Sequence, residues 1–394
     1  MKLLTALAAG AVAVVLPIAG IAAAATTSGQ DTAVVSTTTT GSTTTTQTTG
    51  TTQTTGTTEA AGSVPDIDWS SLPTTDVTLT DEGLAITEAG TYVLTGTSTG
   101  QVTVDTDGYV RIVLDNATIA SSVGAAIQID NAELTVLELA EGTTNTVSDA
   151  ASRDDEEIDG AIWSSDDLVI TGSGTLNLTA TFADGIVGKD DLWIGSGTIN
   201  LTSADDGIRG KDSLTIDGGT ITIDATGDGM KASNDTDLGL GRLTITDGVI
   251  TVTSGDDAIK AEQQLRITGG SITTDSVEGI EAPVIVIDDG DITVNASDDG
   301  LNASASEIIT DGLSITINGG NLTIVMGAGD TDAIDSNGDL TITGGTIDIT
   351  AQSSFDYDGT GTLTGGTITV NGQQVTELTN QMMGGQPGGA PGGR

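Results

Sequence analysis

The chain has 394 residues, enough for one large domain or two ordinary ones. Eleven Lys and Arg stand against 56 Asp and Glu, a formal net charge of -45, which excludes a nucleic-acid partner and suits a protein that collects cations or lives in salt. With no Cys there is no disulfide, thiolate metal site or lipoprotein anchor; with no His there is no His-dependent triad and no zinc site of the usual kind.

Met1 to Ala25 reads as a secretory signal, with Lys2 at its start, an apolar run from Leu3 to Ile21, and small residues in "IAAAA" for cleavage. No basic stop follows, so no transmembrane segment is expected after cleavage, and the protein is expected to be secreted or associated with the cell surface. Residues 26–63, as in "STTTTGSTTTTQTTGTTQTTG", lack apolar side chains to offset ordering entropy and read as a disordered Thr-rich linker. Residues 64–372 carry strand signals, with entry strands and first coils over 64–158 and regular coils over 159–372. Residues 373–394 read as a Gly/Pro-rich tail, unstructured from Gln381 onward in "QMMGGQPGGAPGGR".

The central region is a repeat. Asp-Gly/Ala-Ile recurs at Asp159, Asp184, Asp206, Asp228, Asp257, Glu278, Asp299 and Asp332, at intervals of 25, 22, 22, 29, 21, 21 and 33 residues. The long intervals hold insertions, "NDTDLGLGR" at 234–242 and "SASEIITDG" at 304–312. Each repeat continues with a Leu-x-Ile strand signal, as at Leu214-Thr215-Ile216, then a Gly-Gly or x-Gly turn, then an alternating strand such as "TITI". Three short strands and three turns fit one coil of about 22 residues, and stacked coils bring equivalent residues ~4.8 Å apart. The expected fold is all-β, a right-handed parallel β-helix; the handedness is the default of parallel crossovers. A narrow aliphatic interior also accounts for an aromatic content of only 2%.

Stacking turns the phrase into an acid column, Asp184, Asp206, Asp228, Asp257, Glu278, Asp299, Asp332. Two like charges ~4.8 Å apart repel by ~3.5 kcal/mol at an effective dielectric near 20, so the column must be neutralised. Arg209, Lys231 and Lys260 fall two residues after the Gly or Ala, with Lys189 and Lys211 two further on. Beyond residue 260 the neighbours become Glu281, Asn302 and Asp335, and no Lys follows. There the reading is that only a bound cation balances Asp256, Asp257, Glu278, Glu281, Asp298, Asp299 and Asn302, joined by Asp228, Asp332 and Asp335. Oxygen-only donors on flexible turns favour Ca²⁺ over Mg²⁺. A solvated acidic edge is the plainer alternative.

The segments "TEAGTYVLTGTSTGQVTVDTDGYVRIVLDNATI", "DGIRGKDSLTIDGGTITI" and "EGIEAPVIVIDDGDITVNASDDGLNAS" together resemble the bacterial carbohydrate-binding domain family typified by a clostridial cellulose- and acid-sugar-binding protein. The resemblance runs from about Asp76 to Val370. It implies a pectate-lyase-like right-handed parallel β-helix with bound calcium, binding cellulose and polygalacturonate-type polymers without established catalysis. Asp256-Asp257-Ala258-Ile259 departs from the pattern, with Ala where Gly is common.

Trp163 and Trp193 fall on outward columns and are candidates for stacking on sugar. Lys189, Arg209, Lys211, Lys231 and Lys260 are candidates for uronate carboxylates, or are simply the counter-charges of the acid ladder. A lyase would need Ca²⁺ and an Arg or Lys base; a ladder of bases argues for structure instead. The expected function is a secreted, calcium-binding, non-catalytic protein for plant-type polysaccharide. The alternatives are a pectate-lyase-like enzyme and a surface stalk without sugar specificity.

Overall fold

The structure is a computed structural model that describes residues 64–328 and 331–381. The signal and Thr-rich segments expected over 1–63 lie outside the described residues, as does 382–394. Among the described residues there is no α-helix, only a single 3₁₀ turn at Trp69–Ser71, and no helix long and apolar enough to cross a membrane.

The strands stack in parallel as three ladders, which defines a parallel β-helix. The Asp-Gly-Ile strands form a sheet of twelve, from Leu84–Ile86 to Asp356–Tyr357. The Leu-x-Ile strands and the Thr-bearing strands form two further ladders. These are counted as one 24-stranded sheet because the long strand Tyr109–Ala120 pairs with both Leu134–Leu139 and Thr144–Ser148. Regular stacking therefore begins at the first coils, ahead of residue 159.

Register follows the aliphatics. Leu192, Leu214, Leu243 and Leu265 stack in line, as do Ile194, Ile216, Ile245 and Ile267. Ile199, Ile221, Ile250 and Ile272 line the third ladder. All are buried to within 1%. Their neighbours point outward, so Thr220–Ala225 alternates exposed and buried throughout. A one-residue slip would reverse that alternation, and the pattern thus fixes the register.

Two kinds of glycine close each coil. The second Gly of the Gly-Gly corner takes a left-handed conformation, as at Gly219 with φ 97° and Gly270 with φ 90°. The Gly of the Asp-Gly-Ile phrase is required by space instead. A Cβ on Gly207 would lie 2.4 Å from the Gly229 carbonyl oxygen and 2.6 Å from Ile223 Cγ2.

Beyond 372 the chain turns back on the last coil. Gln373–Val375 pairs antiparallel with Thr367–Val370, Leu378 packs on the core, and Gln381 N–H donates to the Phe355 carbonyl. The first residues of the expected tail, 373–381, thus lie against the last coil, and Gln373–Val375 covers the otherwise open edge of Thr367–Val370.

A second apolar cluster lies outside the coil interior. Leu134, Val136, Val169 and Trp193 are buried there, with Ile67, Trp69 and Tyr109 packed against them. The Arg111 guanidinium lies 5.4 Å from the centre of the Trp69 ring.

Candidate cation and sugar site

The site is built on the Asp-Gly-Ile ladder. Ile186, Ile208, Met230, Ile259, Ile280, Leu301 and Ile334 stack in register and point inward. The next residue of each strand points outward, giving the column Trp163, Val187, Arg209, Lys231, Lys260, Glu281, Asn302, Asp335.

The acids two residues before the aliphatic are not simply repelling one another. Four of them reach the backbone of the following coil. Asp184 Oδ1 accepts from Asp206 N–H (3.1 Å), Asp206 Oδ1 from Asp228 N–H (2.9 Å), and Asp228 Oδ1 from Asp257 N–H (3.1 Å). Asp299 Oδ1 accepts from Asp332 N–H in the same way (3.1 Å). The sequence reading missed this role. A carboxylate on an N–H keeps its charge at lower cost.

The basic column supplies the rest. The Arg209 guanidinium donates to Asp184 Oδ2 from Nε at 2.8 Å and to Asp159 Oδ2 from Nη2, with Asp206 at 3.8 Å. Lys231 Nζ donates to Asp228 Oδ2 at 2.8 Å. Lys260 Nζ donates to Asp257 Oδ2 at 2.6 Å and also to Glu281 Oε2. Lys189 stands 4.0 Å from Asp159, and Lys211 makes no ion pair among the described residues. Lys189, Lys211, Lys231 and Arg209 line one open groove with Asp159, Asp184 and Asp206.

Burial shifts several of these groups. Asp184 is pushed up to about 6 by burial, against the pull of Arg209 and with help from Asp206 and Asp159. Burial would lower the Lys231 and Lys260 ammoniums, but hydrogen bonds to Asp228, and to Asp257 and Glu281, outweigh it and raise both. Burial, then the charge of Glu281, raises Asp257. Burial would also raise Glu281, but the bonds from Lys260 and Ser304 leave it below the usual range. Farther along, where no Lys follows, burial lifts Asp299 to about 7, with Asp335, Asp298 and Glu278 adding to it. Asp335 rises to about 6 through burial and the charges of Asp356 and Asp332.

Of the predicted cation ligands, the structure gathers two overlapping groups: Asp228 with Asp256 and Asp257, and Asp257 with Glu278 and Glu281. Within each, one oxygen per residue lies within 4.8 Å of the others. Asn302 joins the second group by donating from Nδ2 to Glu278 Oε2 at 3.0 Å. Two oxygens there, Asp257 Oδ1 and Asn302 Oδ1, are buried without a hydrogen-bond partner. Asp298, Asp299, Asp332 and Asp335 belong to no such group among the described residues. Part of the charge expected to need a bound ion is offset within the chain, on Asp257 and Glu281. Lys260 is long enough to bend back over its own coil and place an ammonium between Asp257 and Glu281.

Trp193 is corrected as well. It points away from the interior as expected, yet it is only 4% exposed, because the outer apolar cluster and the segment around Ile67 and Trp69 enclose it. It offers no face to a sugar. Trp163 is half-buried between Gln128 and Val187, with its Nε1 buried and without a hydrogen-bond partner. The 304–312 insertion forms one wall of a cleft of about 390 Å³ beside Lys260 and Glu281. Ser304 in that wall donates to Glu281 Oε1 at 2.5 Å.

Fold and site together define a parallel β-helix with a continuous charged edge and a carboxylate cluster able to accept a hard cation. The family model of carbohydrate-binding domain-containing proteins matches residues 80–283 and 274–381, and the chain belongs to that family. A carbohydrate-binding domain-containing protein of Acetivibrio thermocellus is 33% identical over 133 residues, 32% of this chain and 46% of the relative; the match thus spans under half of that relative's length. A solved structure, described as the polysaccharide lyase-like protein from C. thermocellum in a gadolinium derivative, is 30% identical with a TM-score of 0.53. It covers 54% of this chain and 96% of its own.

Proposed function

We propose that this protein is a secreted, non-catalytic carbohydrate-binding domain that holds an acidic plant-type polysaccharide against its Asp-Gly-Ile edge with the help of calcium. The observation that carries the reading is a pair of buried oxygens without a hydrogen-bond partner, Asp257 Oδ1 and Asn302 Oδ1, on residues of the carboxylate cluster that includes Glu278 and Glu281. A buried oxygen without a donor costs about 1–3 kcal/mol, and a hard cation is the ligand that relieves it. Calcium would be held by Asp257, Glu278, Glu281 and Asn302, with Asp228 and Asp256 alongside. It would supply a charge to which uronate carboxylates bind. Lys189 and Lys211, the least committed bases of the groove, are placed to pair with polymer carboxylates.

Catalysis by β-elimination needs an unprotonated base. Arg209, Lys231 and Lys260 are all held in their charged forms by carboxylates, which supports binding without turnover. The leader expected at Met1–Ala25 supports secretion.

The test is retention on polygalacturonate, on cellulose and on inert beads, with calcium or with chelator. Retention on the acidic polymer that chelator weakens is expected. Equal retention on all three matrices would overturn the reading, as would release of unsaturated uronate from polygalacturonate, which would mark a lyase.

A further inference from the structure

The cluster that would take the cation already holds one. Lys260 Nζ lies on Asp257 Oδ2 and Glu281 Oε2, two of the three carboxylates of one group. Its side chain is 26% exposed and lines the cleft walled by Ser304 and Glu307, so the ammonium has somewhere to go. Glu262 lines the same cleft; burial raises its carboxyl against the pull of Lys231 and then of Lys260.

We infer that Lys260 is the residue that sets cation selectivity at this site: it is a tethered monovalent competitor that only a multivalent ion displaces. The inference rests on the calcium reading above. A sodium or potassium ion entering between Asp257 and Glu281 would exchange one positive charge for another. It would lose to a group whose effective concentration, being on the same strand, is about millimolar or higher. A divalent ion doubles the charge opposite Asp257, Glu278 and Glu281, and Asp257 Oδ1 and Asn302 Oδ1, which no hydrogen bond occupies, are further oxygens for it to draw on. The rung below repeats the device with Lys231 on Asp228, whereas at Asp299, Asp332 and Asp335 no Lys follows in the chain.

The experiment compares the wild type with K260M and K260R by calorimetric titration with CaCl₂. Melting temperature is also followed in NaCl or KCl against choline chloride at equal ionic strength. K260M is expected to bind calcium about tenfold or more tighter and to gain stability from sodium or potassium. The wild type and K260R should gain none from monovalent salts. Since K260M exposes three carboxylates to one another and can fail to fold, a wild-type measurement stands beside it. Amine acylation read by mass spectrometry should rise at Lys260 when calcium is added, with Lys189 and Lys211 as references. Equal calcium affinities in wild type and K260M, or Lys260 labelling that calcium leaves unchanged or lowers, overturn the inference while calcium binding itself stands. Absence of calcium binding in both proteins overturns the calcium reading and this inference with it.

Discussion

Replacing Arg209 by Ala tests whether the ladder is held by its internal counter-charges. Arg209 makes two hydrogen bonds to Asp184 and one to Asp159, and Asp184 is only 3% exposed. Truncation leaves Asp184 bonded through Oδ1 to Asp206 N–H, with the Asp159 and Asp206 charges beside it. Breaking a buried pair from one side costs about 3–5 kcal/mol. The Arg209 side chain is 17% exposed and opens on a groove, so water recovers part of this and about 2–3 kcal/mol is expected. The cost depends on pH. Asp184 already stands near 6 with the guanidinium in place, and without it the carboxyl is protonated at pH 5. The loss should therefore shrink to about 1 kcal/mol at pH 5 and be full at pH 8. Urea unfolding at both pH values gives the magnitudes. Hydrogen exchange across residues 159–233 detects local opening, since stacked coils need not melt as one unit. The reasoning fails if R209A costs no more than K211A, or if its cost is the same at pH 5 and pH 8.

Calcium-free protein should lose stability as pH rises through about 4 to 7. Asp184 and Asp335 near 6 and Asp299 near 7 hold protons that the unfolded chain has released by then, so the folded state binds more protons throughout that window. Glu281 and Asp288, held below the usual range, act in the opposite sense and lose their contribution only in acid. After screening, each raised group is worth about 1 kcal/mol, and a chelated sample that melts higher at pH 8 than at pH 5 would contradict the sign. Trp193→Ala should cost about 3 kcal/mol in unfolding experiments by emptying the outer apolar cluster, while polysaccharide retention stays at the wild-type level. Lost retention by a variant still folded at the assay temperature would restore Trp193 to the sugar surface.

The repeat alone determined the ladders. In a parallel solenoid the sequence interval is the contact map, so Ile208, Met230 and Ile259 had to stack, and Arg209, Lys231 and Lys260 with them. It also determined that the acid column needed neutralising. How this is done was decided in three dimensions. Column membership says which residues are neighbours, but not that an Asp carboxylate reaches the N–H of the next coil. Nor does it say that Lys260 curls back onto Asp257 and outward to Glu281, because those depend on side-chain length and rotamer. Trp193 shows the same limit at longer range. Alternation correctly turned it outward, yet its cover comes from Ile67 and Trp69, more than a hundred residues earlier and outside the repeat. Residues 373–381 likewise read as tail because glycine and polar residues dominate the chain from there to Arg394, whereas the open end of the last coil gave them a strand to pair with. Periodicity fixes the recurring contacts; the fate of a side chain that meets something non-recurring is settled only by the folded surface around it.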